Sequence, residues 1–73
     1  MKQIEEKDLI YIIDKFKKYT ETAEQHEFPL LAMIGFAIQE TNITEIVDDQ
    51  KNAKAMYRTI ARVIGEDCSA FEE

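Results

Sequence analysis

Tryptophan is absent from this chain, and cysteine, histidine and proline occur once each, as Cys68, His26 and Pro29. Glycine occurs only at Gly35 and Gly65. Each scarcity removes a class of function. A lone cysteine excludes an intrachain disulfide. One cysteine and one histidine make no ligand set for structural zinc. Two isolated glycines exclude a phosphate-cradling loop. The longest apolar run, Phe28 to Ile38, is about half the ~20 residues of a membrane-spanning helix. Glu5, Glu6 and Asp8 stand where an export signal would be basic and then apolar, so the expected location is cytoplasmic, with no membrane partner.

What is present describes a small acidic domain. The chain has 73 residues, of which 45% are hydrophobic and 33% charged, with a formal net charge of −6. It is read as one helical domain over 1–73. A chain of this length buries only about 60% of the surface its unfolded form exposes, and its core supplies no more than ~3–5 kcal/mol. With disulfides and metals set aside, oligomerisation is the remaining route to extra stability. Residues 21–50 hold seven acids and no lysine or arginine, and this block accounts for the net charge. Such a block repels phosphates and attracts basic partner surfaces.

Periodicity predicts three helices. In the first, about residues 5–25, Leu9, Ile12, Ile13, Phe16, Tyr19 and Ala23 form an amphipathic stripe, with Ile10 and Tyr11 off it as a further contact surface. The second, about residues 29–41, starts at Pro29, whose missing N–H costs nothing in a first turn. Its stripe of Leu30, Leu31, Ile34, Ala37 and Ile38 is expected to face the other helices, with Met33 and Phe36 pointing away. Ala32 and Gly35 lie between these faces, small enough to admit another helix. Asn42 or Thr44 is placed to cap a short fourth turn through Ile46 and Val47, although the second helix continuing through Asn42 is an open alternative. The third helix, about residues 52–64, is capped by Asp48, Asp49 or Asn52, carries Ala53, Met56, Tyr57, Ile60, Val63 and Ile64 as its apolar face, and ends at Gly65. An acidic tail over residues 66–73 has Phe71 as its anchor. No segment alternates with the period of a half-buried strand. The expected fold is all-α, a small antiparallel bundle of three helices, or four with the short turn, self-associating through the second helix.

Catalytic constellations are missing. Cys68 has no base near it in sequence, and His26 is expected on a loop. The acids at Glu5–Glu6 and Asp48–Asp49 suit helix starts, where they complement the dipole. A bridged di-metal bundle uses Glu-x-x-His, but Ala23 stands three residues before His26. Asp48 to Asn52 lacks the spacing and glycine of an EF-hand. No cofactor or metal is expected, and the chain is not read as an enzyme.

Acyl carrier proteins are similar in size and charge, but their Asp-Ser-Leu attachment site is missing: Ser69 is the only serine and lies between Cys68 and Ala70. Ile60-Ala61-Arg62-Val63-Ile64-Gly65, followed by Phe71, resembles the last helix and turn of repressor-type helix-turn-helix domains. That likeness covers residues 60–71, and no pair of short helices with a glycine turn precedes it.

Two functional readings follow. In the first, the chain is a non-catalytic protein-binding module. Its size and charge are similar to those of inhibitors, immunity proteins and regulators, including ones carried by phages and other mobile elements. It would self-associate or bind a partner, as a homodimer, through Met33, Phe36, Ala32 and Gly35. An acidic surface of Glu40, Glu45, Asp48 and Asp49 would meet a basic protein partner. In the second, Lys51, Lys54, Arg58 and Arg62 form a basic stripe on the third helix that contacts phosphates in a small DNA-binding regulator. The net charge of −6 argues against nucleic acid.

Overall fold

Capping residues divide the chain into its elements. In the computed structural model, which describes residues 2–71, these are α1 (Glu6–Thr22), α2 (Phe28–Glu40), α3 (Ile43–Ile46) and α4 (Gln50–Ile64). Single 3₁₀ turns occur at Gln25–Glu27 and Ser69–Phe71. Among the described residues there is no strand, and the fold is all-α.

The Asp8 carboxylate holds the start of α1 by accepting from the Glu5 backbone N–H at 2.9 Å. Glu6 and Asp8 both lie in the first turn, next to the positive end of the helix dipole. The helix ends at Thr22, three residues short of the expected Gln25. Ala23 is extended at φ −68°, ψ 149°, and Glu24 starts a separate turn in which the Glu27 carboxylate accepts from the Glu24 N–H at 3.3 Å. This Glu-x-x-Glu arrangement is a local capping box that periodicity alone does not register.

The 3₁₀ turn leads directly into α2, with Pro29 in its first turn. Thr41 is extended, at φ −87° and ψ 128°, so α2 does not continue through Asn42. Instead the Asn42 side chain accepts from the Thr44 N–H at 3.1 Å and caps α3. Asp49 is the cap of α4, accepting from the Asn52 N–H at 3.4 Å and from the Asn52 side-chain amide at 2.6 Å. The helix therefore starts at Gln50, two residues earlier than expected. Gly65 ends it in the left-handed conformation at φ 75°, which glycine adopts without a Cβ clash. The Glu66 N–H then donates back to the Ala61 carbonyl at 2.9 Å, as in a Schellman turn.

The core forms chiefly between α1 and α4. Leu9, Ile12, Ile13 and Phe16 of α1 are buried together with Ala53, Tyr57, Ile60 and Ala61 of α4. Each fully buried large side chain contributes roughly 1.5–3 kcal/mol. Ile4 and Phe71 are buried as well. Phe71 meets the Tyr57 ring at 4.7 Å between centroids, with planes tilted by 58°.

α2 is set apart by how little it buries. Only Leu31 and Ile34 are buried, with Ile38 partly so. The expected inward stripe was too wide: Leu30 is 53% exposed and Ala37 is also exposed. Leu31, Ile34 and Ile38 follow i, i+3, i+7 spacing, and Leu30 and Ala37 lie to one side of that line.

Candidate protein-docking face

The outer side of α2 carries four large apolar side chains in solvent. Phe28, Leu30, Met33 and Phe36 are all at least half exposed, and Met33 reaches 70%. No charged residue occurs from Phe28 to Gln39. Scattered surface apolar residues are ordinary, whereas a contiguous exposed apolar patch is uncommon on a small domain. Met33 and Phe36 point outward as their helical positions require. Phe28 and Leu30 were not among the expected site residues, and the absence of charge in the run was the signal that could have included them.

Apolar grooves run along both sides of this helix. The larger, about 450 Å³, lies between α1 and α2, where Phe16, Leu31, Gly35 and Ile38 meet Lys17 of the α1 wall. The other, about 300 Å³, lies between α2, α3 and α4 and includes Ala37, Ile46, Met56 and Ile60. Ala32, Gly35 and Phe36 also line a shallow depression with Gln39. A Cβ added at Gly35 would meet nothing within 4 Å, so no contact among the described residues requires glycine there.

Beyond the C-terminal end of α2 the surface turns acidic. Glu40, Glu45, Asp48 and Asp49 are exposed. Asp49 is engaged as the α4 cap. Among the described residues none of these four carboxylates joins an ion pair; the pairs formed are Lys2–Asp8, Lys7–Glu5, Lys15–Glu66 and His26–Glu24.

The basic stripe of α4 is not a uniform exposed row. Lys51 and Arg62 are exposed and Arg58 is partly covered, but Lys54 is buried, at 7% exposure. Lys54 lies at the edge of the apolar face beside Ala53, where a lysine stem can lie along apolar surface.

Charged groups elsewhere tie elements together. Lys15 donates to Glu66 at 2.8 Å, and the Tyr11 hydroxyl donates to the other Glu66 oxygen at 3.1 Å. Lys15 also lies 5.1 Å from the centre of the Tyr11 ring. Tyr11, off the α1 stripe, therefore holds the turn after α4. The Lys15 hydrogen bond holds the Glu66 carboxyl below its ordinary range, with Tyr11 adding to the effect. Glu66, then Tyr11, raise the Lys15 ammonium pKa in return. The Tyr19 hydroxyl donates to Glu27, which lowers the Glu27 pKa and raises that of Tyr19.

Among the described residues, no three His, Cys, Asp or Glu side chains come together to hold a metal ion. Cys68 is half-buried against the core, and His26 lies at the surface beside Glu24 at 3.3 Å. No helix of the described residues is long and apolar enough to cross a membrane. Compared with known protein families, curated proteins and solved structures, the chain matches none.

Proposed function

We propose that this protein is a non-catalytic protein-binding module that acts as an inhibitor, immunity or regulatory protein by occupying the surface of a basic protein partner. The observation that carries the reading is the succession, from α2 to α3, of an uncharged face exposing Phe28, Leu30, Met33 and Phe36 and of carboxylates that form no ion pair among the described residues. Interfaces place aromatic residues and methionine at their desolvated centres and polar groups at the rim. Exposed acids at the α3 end offer a basic partner its electrostatic complement and suppress acidic competitors.

Affinity capture from the native host is the test, using the wild-type protein beside a Glu45→Lys/Asp48→Lys variant. A basic protein retained by the wild type and lost from the variant supports the reading. Retention by both alike, or retention only of nucleic acid, overturns it. The second reading, a DNA-binding regulator, draws on the accessible Lys51, Arg58 and Arg62. The burial of Lys54 shortens the row of cations that it requires.

A further inference from the structure

Resting on the reading of α2 as a binding face, we infer that its occupant is a second copy of this chain, packed α2 against α2 about a two-fold axis. The acidic α3 end then stays open in both copies for the basic partner.

Charge selects the occupant. Two chains of net charge −6 repel, so copies can meet closely only where neither brings a like charge. The stretch from Phe28 to Gln39 meets that condition, having no ionisable side chain. Of the acids at its ends, Glu27 keeps its charge but is held against Tyr19 of its own chain. A basic partner finds no carboxylate along this face, and its complement lies beyond Glu40.

Shape points the same way. An isologous contact requires one patch to carry both the projection and the recess that receives it. Here Met33 and Phe36 project, while apolar grooves of about 450 and 300 Å³ lie on the two sides of the same helix. The space over Gly35 is empty to 4 Å, which lets a large side chain of the copy approach the α2 backbone. Area is that of a modest interface. The four large exposed side chains present on the order of 400–500 Å². Uncharged groove walls such as Thr20, Ala32 and Gln39 add to it, which leaves each copy's share below the roughly 800 Å² of a standard interface, in the range of a weak, concentration-dependent dimer.

Sedimentation equilibrium of the full chain, from about 1 to 300 μM, tests this alongside far-UV circular dichroism. A dimer is expected, and it should tighten as salt is raised from about 0.05 to 0.5 M, because screening relieves the repulsion between two acidic chains. Phe36→Glu places a charge at an outward position and should weaken the dimer by at least about tenfold with helicity unchanged. The Cβ of Gly35→Gln meets no neighbour within 4 Å, and its longer side chain would occupy the space the copy approaches, so this variant should do the same. A wild-type monomer throughout the range overturns the inference, as does a dimer that loosens with salt or keeps its affinity in both variants. None of these outcomes bears on capture by the α3 carboxylates, so the two readings fail separately.

Discussion

The side-chain amide of Gln50 closes on the backbone of Ile4 from both sides. The Ile4 N–H donates to the Gln50 oxygen at 2.8 Å, and the Gln50 nitrogen donates to the Ile4 carbonyl at 2.9 Å. The same nitrogen also donates to the Val47 carbonyl at 2.6 Å. One glutamine thus ties the segment before α1 to the start of α4 and keeps Ile4 in the core.

Gln50→Ala should therefore destabilise the protein by about 1–3 kcal/mol, since it removes three bonds and leaves partly buried backbone groups without partners. Gln50→Glu should also destabilise it, because a carboxylate cannot donate to either carbonyl. Urea unfolding followed by circular dichroism measures both. Wild-type stability in Gln50→Ala would show that the Ile4 tether contributes nothing.

Acid should loosen the ends of α1 and α4 through Glu66 and Glu27. Both carboxyls are held below their ordinary value of 4.5, Glu66 chiefly by Lys15 and Glu27 chiefly by Tyr19. A lowered folded-state pKa means the contribution is present above the unfolded value and is lost as pH falls through the folded one. The Lys15 pKa is raised from 10.5, so its contribution is full below that value and is lost as pH rises through the folded pKa. The Lys15–Glu66 contribution should accordingly be flat from about pH 5 to 10 and decline on both sides. Glu66→Gln should flatten the acid limb of the stability–pH curve. An unchanged acid limb in that variant would remove the pair from the account.

Phe71 should be a structural anchor. It is buried, contacts Tyr57, and has the Lys2 ammonium 5.4 Å from its ring centre. Phe71→Ala is expected to cost about 3–5 kcal/mol, the usual loss for a buried aromatic. On the small stability typical of such a chain, thermal melting should shift sharply downward. A melting temperature within a degree or two of wild type would mean that the core closes without the tail.

The α1 and α4 faces were legible because one apolar stripe and a polar back give a helix a direction. Gly65 and Phe71 were legible, and Asn42 and Asp49 stood among the cap candidates, because capping, helix termination and an isolated aromatic in an acidic tail are local signals. The α2 face was legible in part: Leu31, Ile34 and Ile38 lie inward and Met33 and Phe36 outward as expected. A helix apolar on nearly every side gives its stripe no edge, however, and Leu30 and Ala37 fall outside it. Ile4 and Gln50 interact across 46 positions, which no periodicity encodes. Lys54 read as a surface cation since charge marks the head group while the stem decides burial. The carboxylates around α3 could be named from the sequence, but whether lysine or arginine neutralised them depended on which helices lie side by side.

Duplex DNA should not bind at physiological salt. Each phosphate contact by lysine or arginine contributes about −0.9 to the slope of log affinity against log salt. With Lys54 buried, three cations of the stripe remain accessible to phosphate, Lys51, Arg58 and Arg62, so the stripe supports a slope no steeper than about −2.7. Against it stand the seven acids of residues 21–50 and a net charge of −6, which repel the backbone over a distance comparable to the ~8 Å screening length. Fluorescence anisotropy with random and host-derived duplexes should be silent, and Arg58→Ala/Arg62→Ala should change nothing. Sequence-dependent binding tighter than about 1 μM, with a salt slope that the double variant flattens by about two, would instead make α4 the functional element. The uncharged face of α2 would then serve a dimeric regulator by setting the distance between its two DNA-reading helices, as half-site spacing requires.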